Sequence, residues 1–212
     1  MAASAVMAAQ TPASLADVSQ DAYSALAARR YEQAIGRFRE TLEQQPGNTT
    51  ARKDLAYTYL KTGETLAARE EFAEVVRQDP GDQEAALEYA FLCHETGETA
   101  QARRVFDALR TRGAPTVREV AEQAFQNIDR PLAEGIERWL RAAELTPGDF
   151  NAHLDLARLA EHRDELTLAA EHYLIAWRLR PSQRSLLVDY GRVALARGDF
   201  EPGRAALLAA SR

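Results

Sequence analysis

The sequence contains little of what catalytic or membrane-embedded proteins need. It has one cysteine, Cys93, so no internal disulfide can form, and we expect this residue to be a small buried core side chain. No apolar run approaches the roughly 20 residues of a membrane span. A glycine-rich phosphate loop, an HExxH pair and a GxSxG elbow are all missing from the sequence. We therefore predict no catalytic residue, no metal site and no cofactor, and we expect that the chain is not an enzyme.

The positions of the histidines argue against a metal site, and the net charge argues against nucleic-acid binding. His162 and His172 each follow a glutamate, but they belong to different predicted helices, so we expect a structural or solvated role. Lysine and arginine number 26 against 32 aspartate and glutamate, a net charge of −6. Nonspecific nucleic-acid binders are more often basic, so no nucleic-acid partner is expected. The composition is that of an ordinary soluble protein, either cytoplasmic or periplasmic.

A repeat of about 34 residues runs through the chain. It is marked by the spacing from Pro46 to Pro80 and by the equal spacing from Pro147 to Pro181. Six copies account for the sequence after residue 14, over about 15–48, 49–82, 83–115, 116–149, 150–183 and 184–212. This period is that of a helix-turn-helix unit.

Small and large side chains recur at fixed places in the repeat. Small residues occupy position 8 as Ala22, Ala56, Ala90, Ala157 and Gly191, and position 20 as Ala34, Ala68, Ala102, Gly135, Ala169 and Gly203. Large apolar residues occupy position 24 as Phe38, Phe72, Phe106, Trp139, Tyr173 and Leu207. Small residues let two helices approach closely, and the large ones would fill the space between repeats.

This spacing, with turns at Gly63, Gly97 and Gly198, resembles the tetratricopeptide repeat family over nearly the whole chain. The resemblance implies an all-α fold in which helix-turn-helix repeats stack as a right-handed superhelix, an α-solenoid. Each repeat is predicted to form two amphipathic helices, about 49–62 and 65–79 in repeat 2. Repeat 4 lacks the turn glycine, so we expect a hinge or a change of pitch there, with Pro131 in the first turn of its second helix.

The predicted organisation has two parts. Residues 1–14 form either a remnant of an export signal or a flexible alanine-rich leader. Residues 15–212 form a single solenoid of about six repeats, the last of which has no separate capping helix. Leu207 and Leu208 would then be partly exposed, and they are the predicted self-association residues.

In the family that the chain resembles, the first helices line a concave groove. Carrying those positions over gives these predicted partner-binding residues: Tyr23, Lys53, Tyr57, Glu84, Glu88, Phe91, Arg158 and Arg192. The three aromatic residues could equally stack on one another as part of the groove wall. The Lys and Asn set that clamps a chaperone carboxylate is not matched, because Tyr57 and Glu88 stand at two of its positions.

The resemblance implies a non-catalytic protein-protein interaction scaffold that binds a partner peptide or helix in the groove. One alternative is a self-associating structural solenoid, a homo-oligomer through the C-terminal end. Another, by analogy of fold alone, is the periplasmic part of an exopolysaccharide export or outer-membrane assembly system.

Overall fold

The computed structural model describes residues 15–211, and in that range the chain is helical with no strand. The predicted leader, residues 1–14, lies outside the described residues. The described helices are α1 (Leu15–Ala27), α2 (Tyr31–Gln44), α3 (Thr49–Thr62), α4 (Thr65–Gln78), α5 (Gln83–Glu95), α6 (Thr99–Arg112), α7 (Pro115–Leu145), α8 (Phe150–His162), α9 (Leu166–Leu179), α10 (Ser185–Arg197) and α11 (Phe200–Ala210). Consecutive helices pack as pairs, such as α1 with α2, α3 with α4, α8 with α9 and α10 with α11, and neighbouring pairs stack through α2 with α3 and α9 with α10, which confirms the all-α solenoid class.

The chain divides into two compact units, one ending at Leu92 and the other beginning at Cys93. Unit 1 holds α1 to α4 and α5 as far as Leu92, and unit 2 holds the remaining helices. The expectation of a single solenoid from residue 15 to 212 stays a prediction.

Within unit 1 the repeat pattern fills the core as predicted. Ala34 and Ala68, at position 20, are fully buried where the two helices of a repeat meet. Phe38 and Phe72 follow one turn later and are also buried, so each small residue is paired with a large one along the same helix face. Burying a phenylalanine side chain contributes about 1.5–3 kcal/mol, so these positions account for much of the stability of each repeat.

Unit 2 follows the same rule with two differences. Phe106 and Tyr173 are buried at position 24, but Trp139 is only partly buried. In the last repeat, glycine replaces alanine at both small positions, as Gly191 and Gly203. Cys93, the first residue of this unit, is buried as expected.

The turn inside each repeat depends on one residue at position 15. Gly63, Gly97 and Gly198 adopt the left-handed conformation there, with φ of 82°, 86° and 90°. Arg29 and Asp164 occupy the same position in repeats 1 and 5 and are also left-handed, with φ of 56° and 63°. A side chain in that region is uncommon, so packing of the helices determines these two turns.

Repeat 4 has no such turn, and the expectation of two helices there is wrong. Residues Pro115–Leu145 form one helix of 31 residues with Pro131 inside it, not in the first turn of a second helix. Pro131 cannot donate a hydrogen bond to the carbonyl of Asn127, which weakens the helix locally. The continuous helix nevertheless keeps an apolar stripe, because Ile128, Leu132 and Ile136 are spaced four residues apart and all are buried.

An ion-pair network holds the middle of α7 where the turn would be. The carboxylate of Asp129 accepts hydrogen bonds from Arg103 on α6, at 2.6 Å, and from Nε of Arg163 after α8, at 3.1 Å. Burial alone would raise the pKa of Asp129, but the hydrogen bonds from the two arginines outweigh burial and lower it. The carboxylate therefore stays charged and fixes this segment against its neighbours in unit 2.

Candidate partner-binding face

Three aromatic side chains project from equivalent positions of the first helices in unit 1. Tyr23 on α1, Tyr57 on α3 and Phe91 on α5 are 43%, 41% and 42% exposed. Large aromatic residues of soluble domains are usually more buried than this. We call these three residues, with Glu84 and Glu88 beside them, the aromatic face.

Each tyrosine ring is held from behind by a buried phenylalanine of its own repeat. The ring centroids of Tyr23 and Phe38 are 5.4 Å apart at 80°, and those of Tyr57 and Phe72 are 5.1 Å apart at 81°. Such edge-to-face contacts are favourable by about 0.5–1.5 kcal/mol beyond the buried area. One side of each tyrosine ring therefore packs against the core, while the rest is exposed.

The tyrosine hydroxyls join each first helix to the next one. The Tyr23 hydroxyl donates to Oδ2 of Asp54 at 2.6 Å, and the Tyr57 hydroxyl donates to Oε1 of Glu88 at 3.4 Å. The hydrogen bond to Asp54, followed by burial, raises the pKa of Tyr23 to about 12. Burial and the negative Glu88 likewise raise the pKa of Tyr57. Both phenols stay protonated at neutral pH and keep their rings in fixed orientations.

Charge on this face is predominantly negative. Lys53 Nζ lies 2.6 Å from Asp82 Oδ2, and this hydrogen bond raises the pKa of Lys53. The two charges compensate each other, whereas Glu84 is exposed and Glu88 is partly exposed. The predicted contact residue Lys53 is therefore already engaged within unit 1.

A cavity of about 310 Å³ opens beside Tyr57, between α1 and α3. Its lining residues are Leu26, Ala27, Arg29, Tyr31, Asp54, Tyr57, Thr58 and Lys61. The sequence prediction missed both Leu26 and Tyr31. Leu26 occupies position 12, a groove position, but was not selected, whereas Tyr31, at position 17, lies outside the groove positions. The left-handed turn at Arg29 connects α1, which carries Leu26, to α2, which carries Tyr31. This turn brings both side chains to the wall of one cavity.

The remaining two predicted partner-binding residues belong to unit 2. Arg192 is paired with Glu161, through Nη1 and through Nη2 at 3.1 Å, and with Asp189 at 3.3 Å. Its hydrogen bonds to Glu161 raise the pKa of the guanidinium further. Arg158 has a looser pair with Asp155, at 4.0 Å, and is more than half exposed. Arg158 is thus the less constrained of the two.

The predicted self-association residues differ from each other. Leu208 is 63% exposed, while Leu207 is partly buried. A Cβ added to Gly191 would lie 2.8 Å from Cγ of Leu207, so that leucine packs closely on α10. Phe200, at the start of the same helix, is as exposed as Leu208.

Two further properties bear on function. Among residues 15–211, no group of three or more histidine, cysteine, aspartate or glutamate side chains is arranged to hold a metal ion. In the same range, every helix is too short or too polar to cross a bilayer.

Stacked helix pairs with small residues at positions 8 and 20 define a helical-repeat protein. A tetratricopeptide repeat family model matches residues 21–83 and 132–184, and a second tetratricopeptide repeat model matches 63–122. The first model covers more than half of the chain, so the chain belongs to the tetratricopeptide repeat family.

Solved structures agree with this fold. The chain is 17% identical to the tetratricopeptide repeat domain of P58(IPK), covering 93% of this chain and 60% of that one, with a TM-score of 0.52. It is also 17% identical to a tetratricopeptide repeat protein from Parabacteroides merdae ATCC 43184, covering 95% and 79%, with a TM-score of 0.51. A search of curated sequences finds no significant match. At these identities the similarity shows the fold alone.

Membership of the family supports a general role as a protein-interaction scaffold. Tetratricopeptide repeat proteins bind protein partners and are typically non-catalytic.

Proposed function

We propose that the aromatic face of unit 1 binds a peptide or helical segment of a partner protein, and that the chain works as a non-catalytic scaffold. The observation that carries this proposal is the set of three aromatic rings at equivalent positions, each with about two fifths of its surface exposed. Aromatic side chains that keep this much open area on one face are the anchors that peptide-binding surfaces use.

The fixed orientation of the two tyrosines supports binding over a purely structural role. A wall-packing role accounts for the parts of the rings that contact Phe38 and Phe72, but it does not account for the exposed ring surface. Because the hydroxyls are already bonded to Asp54 and Glu88, the rings lose little conformational entropy when a ligand arrives. Pre-organisation of this kind favours affinity.

The charge distribution specifies the chemistry of the partner. With Lys53 paired to Asp82, the charge beside the rings is negative and comes from Asp54, Glu84 and Glu88, two of which also accept tyrosine hydroxyls. A segment that carries lysine or arginine next to apolar side chains would complement them. The cavity beside Tyr57 has room for one of the apolar side chains, because Leu26, Ala27 and Tyr57 line it, while Arg29 and Lys61 in the same lining disfavour a cationic one. On unit 2, we propose Arg158 as a partner contact, while Arg192 acts mainly through its pairs with Glu161 and Asp189.

A displayed library of random peptides, selected on the whole chain, tests the charge requirement. We expect selected peptides to be rich in Lys or Arg beside aliphatic or aromatic residues. Glu84→Lys with Glu88→Lys should then slow association with a selected peptide, most strongly at low salt. Glu43→Lys with Glu70→Lys, two exposed carboxylates on α2 and α4, makes the same change in net charge away from the face. Equal effects of the two double variants would place the site elsewhere.

The exposed apolar residues of α11 favour self-association as a second candidate function. Phe200 and Leu208 are each 63% exposed. If they contact a second copy of the chain, sedimentation velocity should show association that increases with concentration and that Phe200→Glu with Leu208→Glu weakens. Leu207 is left unchanged because it packs on Gly191. A monomer at every concentration, with or without the substitutions, would contradict this role.

The third alternative, a periplasmic part of an export or outer-membrane assembly system, rests on analogy of fold and stays a prediction.

A further inference from the structure

Two buried histidines face each other between α8 and α9 in unit 2. His153 and His172 are only 5% and 7% exposed. Their Nδ1 atoms are 2.7 Å apart, and their rings stack with centroids separated by 5.0 Å. The other nitrogen of His153, Nε2, lies 3.0 Å from the carbonyl oxygen of Pro147 in the turn before α8. The pair therefore joins α8 to α9, and His153 also joins α8 to the turn before it.

The partners determine where the protons are. The carbonyl of Pro147 can only accept, so Nε2 of His153 carries a hydrogen and donates it. In the neutral ring, Nδ1 of His153 is then an acceptor, and Nδ1 of His172 must donate to it. A single proton fits between the two rings. If both rings were fully protonated, two N–H groups would point at each other and the hydrogen bond would be lost.

The separation of the two nitrogens fits a shared proton and not a metal ion. Zinc binds imidazole nitrogen at about 2.0–2.1 Å in a tetrahedral site, which places two ligand nitrogens about 3.3 Å apart. The two Nδ1 atoms are closer than that. Within the described range, no group of three potential ligands contains them.

Repeat 2 contains the same link in a different chemical form. Arg52 and Glu71 occupy the repeat positions of His153 and His172, and their side chains pair at 2.6 Å. Arg52 also donates to the carbonyl of Pro46, at 3.0 Å, as His153 does to the carbonyl of Pro147. Arginine and glutamate ordinarily keep their charges from pH 5 to 8, whereas imidazole changes its charge in this range.

We infer that the His153–His172 pair is a pH-sensitive link between α8 and α9, which stabilises unit 2 at neutral pH and fails on acidification. Repeat 2 makes the equivalent connection with a permanent ion pair, so the two units respond differently to acid at this position.

The surroundings of the pair set the direction of the effect. Burial, followed by the proximity of His153, lowers the pKa of His172, while Glu171 on the same helix opposes this shift. Helices α7 and α10 pack on α8 and α9, but none of their described charged side chains is among the causes of the shift in the pKa of His172. The carboxylate of Asp149, at the start of α8, accepts hydrogen bonds from the backbone N–H groups of Asn151 and Ala152.

The sign of the pH dependence follows from proton counting. Below about pH 6.5 the unfolded chain protonates both imidazoles, but the folded pair holds at most one added proton. The unfolded state then binds more protons, so stability is complete above pH 6.5 and falls as the pH decreases below it. For one excluded proton, the folding equilibrium constant should fall about tenfold for each pH unit in that range.

Tryptophan fluorescence provides a reporter for unit 2 alone, because the only two tryptophans, Trp139 and Trp177, both belong to it. Urea unfolding of the whole chain should give a folding constant at pH 5.5 that is about tenfold lower than at pH 7.5. The double variant His153→Arg with His172→Glu copies the repeat 2 pair and should remove this difference. An unchanged folding constant in the wild-type chain, or the same tenfold loss in the double variant, would overturn the inference.

Imidazole ¹⁵N resonances of the wild-type chain test how many protons the His153–His172 pair holds, even if the double variant fails to fold. His153 and His172 should share a single proton at pH 7.5 and hold at most one more at pH 5.5, with the exposed His94 and His162 as reference resonances. Two fully protonated rings in the folded chain at pH 5.5 would contradict the inference. So would a rise in the urea midpoint on addition of Zn²⁺ at pH 7.5, which would indicate a metal site instead.

Discussion

At the scale of single residues, side-chain size controls how closely the two helices of a repeat approach. The extreme case is the last repeat of unit 2, where Gly191 on α10 faces Gly203 on α11. A Cβ added to Gly203 would lie 2.9 Å from Cγ of Leu195 and 3.0 Å from the carbonyl oxygen of Gly191. Backbone atoms cannot move aside as a flexible side chain can, so even alanine overpacks this contact.

Two glycine substitutions with opposite expected effects test this point. Gly203→Ala should destabilise unit 2 by about 1–3 kcal/mol, because the helices must separate. Gly36→Ala in α2 should stabilise by about 0.5–1 kcal/mol, because Gly36 is exposed in a helix and nothing lies within 4 Å of its added Cβ. Urea denaturation followed by circular dichroism gives both values. A gain in stability from both changes would show that helix propensity, not close approach, decides the outcome.

Part of the helix packing could be predicted from the sequence, because the phase of the repeat places the small and the aromatic residues. Small residues at positions 8 and 20 and aromatic residues at position 24 follow from helix periodicity, and the structure confirms their burial in unit 1. The pairing of His153 with His172 was not predicted, because adjacent glutamates directed attention to His162 and His172 instead. The available signal was the spacing of 19 residues between positions 4 and 23, which also joins Arg52 to Glu71.

At the scale of helices, the presence of glycine predicts only some of the turns inside the repeats. Arg29 and Asp164 adopt the left-handed conformation without it. Arg130, at the equivalent position of repeat 4, remains helical inside α7. The difference lies in tertiary contacts, since Asp129 is held by Arg103 and Arg163 and the apolar stripe of α7 continues through the missing turn. Contacts from α6 and from the end of α8 could not be inferred from the local sequence FQNIDRPLAEG.

Pro131→Ala tests the continuity of α7. In a helix interior, alanine restores the hydrogen bond to the carbonyl of Asn127 and relieves the clash of the proline ring, so unit 2 should gain about 1–3 kcal/mol. The change in free energy of unfolding is measured from the fluorescence of Trp139, on α7, and Trp177, on α9, which together report on unit 2. If Pro131 instead began a separate helix, where its missing N–H costs little, the substitution would give no gain.

At the scale of the whole molecule, the chain is a tetratricopeptide repeat protein whose open aromatic residues and acidic rim lie together in unit 1. The sequence predicted these residues through the family resemblance. It did not predict how they are held, because the contacts of Tyr23 with Asp54 and of Tyr57 with Glu88 join helices of successive repeats. These contacts hold the exposed rings in fixed orientations, which is what makes the surface pre-organised.

The most direct test of the proposed binding face compares Tyr57→Ala with Tyr57→Phe. For a peptide selected on the whole chain, both its affinity and the free energy of unfolding are measured for each variant. As a binding anchor, Tyr57→Ala should weaken affinity by about 2 kcal/mol, roughly 30-fold, with a loss of stability below about 3 kcal/mol. Tyr57→Phe keeps the ring and removes only the long hydrogen bond to Glu88, so it should retain most of the affinity. Unchanged affinity in Tyr57→Ala, together with a loss of about 3–5 kcal/mol in stability, would show that the ring only packs in the wall and would contradict the proposed function.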